Sequence, residues 1–319
     1  MTEQVWVDNG DVRLRVEVTG EGPLLLCVPG WPELPHSWRH QVEHFSQRGY
    51  RVAALEVRGY GQSSSPPEPE RYTLTELASD VSAVVAALSD EPVVLLGHDW
   101  GAPIVWTTAV RYPDQVRGVA GLSVPYTPPA PFSVLDIFDK LYPDRFFYML
   151  TFQEPGVAEA EFAPDVRAAL KAVYYALSGD APVNSLLADA PRDAPFLSVL
   201  PTPPAGPLSF LTDAELDVIA ATFVKSGMTG SLNRYRALPH DVAASADIQG
   251  ATVDRPAVFL AGEKDAVRAV LPGADLFATA ANGCTDFRGA TLIPDVGHWV
   301  QQEAPAAVNA ALEEFLAGL

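Results

Sequence analysis

The sequence predicts an α/β protein with a mostly parallel sheet, helices on both of its faces and a helical insertion. Three observations predict it. Short, continuously apolar runs alternate with amphipathic stretches through the first third of the chain. One such run passes into a helix-like stretch across the glycine pair Gly97 and Gly101. The strand signal then stops near residue 125 and returns only after residue 238.

Taken in order, residues 24–28 (LLLCV), 51–55 (RVAAL), 93–96 (VVLL) and 118–122 (GVAGL) are strand candidates. Apolar runs without polar alternation suit strands covered on both faces, as in a parallel sheet. Residues 74–88 (LTELASDVSAVVAAL) repeat apolar positions at spacings of three and four, and 102–111 continue from a glycine turn; both read as helices. Strand–helix–strand alternation implies right-handed crossovers and helices on both faces. Prolines then crowd at 125, 128, 129 and 131, followed by an aromatic-rich stretch broken by a second proline-rich loop over 191–207. Strand patterns return at 257–261 (AVFLA) and 291–293, and a last helix covers 305–316. The division expected is a first core part over 1–125, a helical lid over 126–238 and a second core part over 239–319. A length of 319 residues allows one large domain with an insertion, at roughly 100–200 residues per domain.

Composition narrows the function. The chain holds 21 basic and 40 acidic residues, a net charge of −19. Such a surface repels phosphate backbones and anionic lipid, so nucleic acid and membrane insertion are poor expectations. Two cysteines, Cys27 and Cys284, are too few for a disulfide framework or a zinc site. The first residues, MTEQVWVDNG, carry no basic segment and no apolar run of the secretory kind, and no stretch reaches membrane-spanning length. A reducing, cytoplasmic setting is expected, with the oligomeric state left open.

The strongest motif is Val93-Val94-Leu95-Leu96-Gly97-His98-Asp99-Trp100-Gly101-Ala102. A strand ends in Gly-x-Asp-x-Gly and a helix begins at once. This is the layout of a nucleophile elbow, with aspartate where esterases carry serine. Small residues at 97 and 101 permit a sharp turn, and the helix start presents N–H groups near the carboxylate. Asp99 as a plain helix cap is the competing reading, but a cap does not need the flanking glycines.

The run GHDWGA resembles the α/β-hydrolase-fold epoxide hydrolases. The likeness extends to Ser37-Trp38-Arg39-His40-Gln41, Arg58-Gly59-Tyr60-Gly61-Gln62-Ser63, Tyr112-Pro113, the block from Phe152 to Glu159 (FQEPGVAE) and Gly297-His298-Trp299. It implies addition of water to an epoxide to give a vicinal diol, through a covalent aspartyl hydroxyalkyl ester and with no cofactor or metal. An aspartate nucleophile suits attack on an sp³ carbon, and the ester then needs a base to activate water. Of six histidines, His298 follows a late strand and comes last in the order nucleophile, acid, histidine. His98 is expected to point away from the cleft. The orienting acid follows strand 257–261, where chain position leaves Asp265 and Glu263 open; the resemblance favours Asp265.

Ring opening creates a basic alkoxide, and a protonated phenol can supply its proton. The resemblance matches Tyr148 and Tyr235 to two lid tyrosines of the family; without it, each reads as packing. It also implies an oxyanion hole from the backbone N–H groups of Trp31 and Trp100, and a substrate wall from Trp31, Trp100, Met149, Phe152 and Trp299. One departure stands out. The family's His-Gly-x-Pro is here Pro29-Gly30-Trp31-Pro32, which removes a side chain and an N–H but leaves the Trp31 N–H in place. The resemblance also implies a cis Trp31-Pro32 bond. Glu56, where relatives usually carry aspartate, lies away from the expected chemistry.

Two rivals remain open at this level. A haloalkane dehalogenase shares the aspartate and the tryptophan after it, but it binds halide with N–H donors rather than two phenols. A non-catalytic ligand-binding protein on the same fold has Pro29 as its support.

Overall fold

The computed structural model describes residues 2–182 and 189–319. The chain opens with an antiparallel hairpin, β1 (Glu3–Asn9) and β2 (Val12–Thr19), in which Asn9 pairs with Val12. Gly10 takes φ 63°, as tight two-residue hairpins require. On β2, Val12, Leu14, Val16 and Val18 are buried. Arg13, Arg15 and Glu17 occupy the other face. The sequence reading did not include this hairpin, because a half-buried antiparallel strand has no continuous apolar run. Its signal is the strict alternation VRLRVEVT after Asn-Gly.

The core then follows as β3 (Leu24–Val28), α1 (Arg39–Ser46), β4 (Arg51–Glu56), α2 (Leu74–Leu88), β5 (Val93–His98), α3 (Gly101–Arg111) and β6 (Val116–Leu122). Between β6 and the next strand lie α4 (Val134–Leu141), α5 (Tyr148–Thr151), α6 (Val157–Phe162), α7 (Val166–Leu177), α8 (Asp213–Ser226), α9 (Thr229–Arg236) and α10 (Leu238–Ala244). The chain ends with β7 (Ala257–Gly262), β8 (Phe287–Ile293), α11 (Val300–Glu303) and α12 (Pro305–Ala317). β8 starts four residues earlier than the 291–293 expected. It is an edge strand with Arg288, Ala290 and Thr291 exposed, so its first half has no apolar pattern.

The eight strands form one sheet in the order β1-β2-β4-β3-β5-β6-β7-β8. β2 meets β4 antiparallel, and the pairs from β4 to β8 are parallel. Burial on both faces follows the two-residue period of a strand. On β3, Leu24, Leu26 and Val28 join one apolar cluster while Leu25 and Cys27 join the other. On β5, Val93 and Leu95 oppose Val94 and Leu96 in the same way. α2 and α3 cover the first face with Leu77, Val81, Val84, Ile104 and Val105. α1 and α12 cover the second with Phe45, Val308, Leu312 and Phe315.

Three of the helices between β6 and β7 have their own local start signals. Ser133, Asp165 and Thr212 cap α4, α7 and α8 by accepting backbone N–H bonds, and Thr212 with Glu215 forms a capping box. The Lys171 ammonium on α7 donates to the carbonyls of Pro204 and Gly206, each at 2.8 Å, and so holds the second proline-rich loop. Among the described residues, no helix is long and apolar enough to cross a membrane.

Candidate active site

β3, β5, β7 and β8 run parallel, so their carboxyl ends open on one edge of the sheet. The segments carrying Trp31, Asp99, Asp265 and His298 each follow one of these ends. In open α/β sheets that edge is where ligand crevices form.

Asp99 sits in the turn between β5 and α3 with φ 50°, a left-handed conformation rare for a residue with a side chain. Its surroundings leave no room for larger neighbours. A Cβ on Gly97 would lie 2.3 Å from Gly101 O, and one on Gly101 would lie 2.0 Å from Val28 O. A Cβ on Gly30 would lie 2.4 Å from Asp99 Oδ1. The glycines therefore let the two backbone segments 28–30 and 97–101 close around one carboxylate.

That carboxylate has two differently held oxygens. Oδ1 accepts the Trp31 N–H at 2.7 Å, and Oδ2 lies 3.3 Å from His298 Nε2. The other imidazole nitrogen, Nδ1, lies 3.0 Å from both oxygens of Asp265. Asp265 is buried, whereas Glu263 is exposed, so the geometry separates the two acids that chain position left open. The Trp31-Pro32 peptide is cis. With Pro29 ahead of it, the Trp31 N–H still reaches Asp99.

Electrostatics follow from this packing. Burial disfavours the charged His298 ring, but the carboxylates of Asp265 and Asp99 outweigh it and hold the imidazole well above its usual range. Burial pushes Asp99 up, but His298, His98 and the Trp31 N–H bring its carboxyl below the usual value. Both shifts favour an imidazolium beside a carboxylate in the resting pair.

Two phenols from the β6–β7 segment complete the site. Tyr148 opens α5 and Tyr235 lies in α9; their rings meet edge to face with centroids 5.9 Å apart. Tyr235 also meets Trp31 at 5.7 Å, Trp100 at 5.4 Å and Phe152 at 5.1 Å. Burial, reinforced by the Asp99 charge, raises the Tyr148 hydroxyl well above 10. Burial, with Tyr148 and Asp99 nearby, does the same for Tyr235. Both stay protonated at neutral pH.

The two blocks are tied together. Gln153 Nε2 donates to Met149 O at 2.8 Å and to Tyr235 O at 3.0 Å. Arg236 donates to Phe152 O and to both oxygens of Glu159. Phe152 is fully buried against Trp31 and Phe196, while Met149 is half-buried. The Arg234 guanidinium lies 4.7 Å from the centre of the Trp100 ring and pairs with Asp241. Trp299 is buried against the rings of His298, His98 and Tyr174, and its indole N–H donates to Tyr174 O. Its contacts make it a backing for the imidazole.

Several supporting groups had no clear mark in the sequence. The His298 carbonyl accepts from His98 Nε2 at 2.7 Å and from Ser123 Oγ at 2.9 Å. His98 Nδ1 lies 2.6 Å from Glu33, which also takes the Gly30 N–H and the amides of Gln301 and Gln302. Glu33 and His98 are wholly buried, so this network joins the Trp31 loop to the backbone of His298. Only an acid beside Pro32 hinted at Glu33. Among the described residues, no group of three or more His, Cys, Asp or Glu side chains is arranged to hold a metal ion.

The family described as "alpha/beta hydrolase fold" matches residues 23–305. Epoxide hydrolase A of Mycobacterium tuberculosis (strain ATCC 25618 / H37Rv) is 39% identical over 318 residues, covering 98% of this chain and 97% of that protein. The chain belongs to the epoxide hydrolases of the α/β-hydrolase fold. Solved epoxide hydrolases have the same architecture. The enzyme from an endophytic Streptomyces superposes with a TM-score of 0.93 at 37% identity, over 99% of this chain and 96% of that one. Epoxide hydrolase A from Mycobacterium thermoresistibile gives 0.91 at 39% identity, over 100% and 99%.

Proposed function

We propose that this epoxide hydrolase family member adds water to an epoxide in two steps, with Asp99 as nucleophile. The observation that carries the reading is the unequal holding of the Asp99 oxygens. Oδ1 occupies the Trp31 N–H and is the oxygen that stays a carbonyl. Oδ2 is the attacking atom: it bonds to an epoxide carbon, the C–O bond of the ring breaks, and the ring oxygen takes a proton from Tyr148 or Tyr235.

Esterification removes the charge of Asp99. The imidazolium of His298 then loses one of the two carboxylates that sustain it, and its affinity for the proton falls. The imidazolium passes its proton to the phenolate left by ring opening, and the neutral ring then takes a proton from water as the oxygen attacks Cγ of the ester. Asp265 keeps the ring oriented and supports the charge that returns to it. The new negative charge develops on Oδ1, where the N–H groups of Trp31 and Trp100 receive it. Expulsion of the diol restores the carboxylate. In this reading residues 126–238 act as a lid that supplies both phenols and, with Trp31, Trp100, Met149 and Phe152, an apolar wall that suits an apolar epoxide substituent. The setting is reducing and cytoplasmic, a reading supported by two free thiols, one of them buried.

The test is a trapped intermediate. His298→Gln is incubated with a pool of terminal, internal and aryl epoxides and short haloalkanes, and its intact mass is recorded. The expected result is an adduct of one whole epoxide that disappears when Asp99→Asn is added. An adduct of the alkyl group alone would make the chain a dehalogenase. No adduct, with intact folding, would favour ligand binding without turnover.

A further inference from the structure

Three consecutive peptide N–H groups around the imidazole are held from outside the triad. Gly297 N donates to Glu303 Oε2 at 3.1 Å, and Trp299 N donates to Glu303 Oε1 at 3.0 Å. Between them, His298 N donates to Leu177 O at 2.8 Å. Leu177 is the last residue of α7, in the segment read above as the lid. Glu303 Oε2 also accepts Gly179 N at 2.8 Å, two residues beyond. One carboxylate thus binds both residues flanking His298 and the end of α7.

The backbones at this junction touch without slack. A Cβ on Gly179 would lie 2.3 Å from Asp295 O and 3.0 Å from Gly297 N. A Cβ on Gly297 would lie 2.3 Å from Gly179 N. The clamp is braced from the acid's side too, because Lys264, beside Asp265, reaches Asp295 at 3.0 Å and Gly179 O at 3.4 Å. Triad members differ in what else fixes them. Asp99 is set by the elbow, and Asp265 caps its own turn through Val267 N. The His298 backbone rests instead on α7, Glu303 and the carbonyl donors His98 and Ser123.

We propose that Glu303 is a positioning residue for His298, coupling the end of α7 to the imidazole so that the lid governs the water step. It touches neither substrate nor the reacting atoms. Alkylation depends on Asp99 and the phenols, whereas ester hydrolysis depends on where the imidazole stands. Loss of the clamp therefore slows hydrolysis selectively.

The inference rests on the function proposed above, and the two can fail separately. Glu303→Gln keeps the volume but turns an amide NH₂ toward a backbone N–H, and Gly179→Ala disturbs the same contact from the lid side. Each variant is mixed with whichever of styrene oxide, cyclohexene oxide or 1,2-epoxyhexane the parent turns over. Ester formation is followed by tryptophan fluorescence, and the ester fraction by quenching and intact mass. The expected result is hydrolysis slowed about tenfold to a hundredfold, alkylation within about twofold of the parent, and a raised ester fraction, since small misplacements of a base cost that much. Equal slowing of both steps, or unchanged hydrolysis, in the variants that fold would overturn the role. If His298→Gln itself accumulates no ester, the function reading fails instead.

Discussion

At Asp99 burial and charge pairing oppose one another, and pairing prevails. The shifts of Asp99 and His298 both favour an ionised carboxylate beside a protonated imidazole, which in the proposed reaction readies Asp99 for attack and leaves no base until it is esterified. The proton needed for ring opening must then come from elsewhere, and the buried phenols of Tyr148 and Tyr235 retain theirs. Tyr148→Phe and Tyr235→Phe should each slow alkylation by about 10²-fold, the lower end for a general acid, and leave ester hydrolysis nearly unchanged. Single-turnover kinetics would separate the steps; equal loss in both would show that the rings only pack. Legibility differs among these residues. Asp99 and His298 stand out by glycine spacing and chain order. Asp265 and Glu263 are two positions apart on one loop; the resemblance favours the first, and burial and direction separate them.

Among the elements, the β5–α3 turn and the α5–α9 junction bear most directly on the chemistry. Gly97→Ala would press a methyl against Gly101 O and Val105, 2.3 and 2.6 Å away. Overpacking of that kind destabilises by roughly 1–3 kcal/mol, visible in urea unfolding, and it should lower activity further by shifting Asp99. Arg236, nearly fully buried, is paired with both oxygens of Glu159, which keeps some water. Arg236→Met leaves that carboxylate without its cation, though still with the Gly156 N–H, and should cost about 3 kcal/mol, the low end for breaking a buried pair. The turn is readable in ten residues because its constraints are local. The junction is not, because Gln153 and Arg236 could as well be solvated side chains until α6 and α9 are brought together.

Across the whole molecule, a net charge of −19 implies self-repulsion that salt relieves. Raising NaCl from ~10 to ~150 mM shortens the screening length from ~30 to ~8 Å and should raise Tm; a fall in Tm would show that the ion pairs outweigh the repulsion. Protons act more locally. His298 titrates higher folded than unfolded, so its pairing stabilises fully below the unfolded value of about 6.5 and is lost as pH rises through the folded one. The stability advantage of the parent over His298→Gln should therefore shrink above pH ~6.5. Urea unfolding at several pH values measures it; a difference constant above pH ~6.5 would mean that the ring is neutral there.

Local pattern alone was enough for the buried parallel strands, the sharp elbow and the helical insertion. Each depends on neighbours along the chain: apolar periodicity, glycine where a side chain cannot fit, proline where a strand cannot continue. The hairpin β1–β2 was equally local but written in alternation rather than in runs. Only folding decided what lies 3.3 Å from Asp99, which acid meets His298, and that Glu33, Ser123 and Glu303 stand behind the base. These groups come from segments far apart along the chain; the His98–His298 bond alone spans 200 residues. Hydrogen bonds act over about 3 Å, and only tertiary packing brings such distant groups that close.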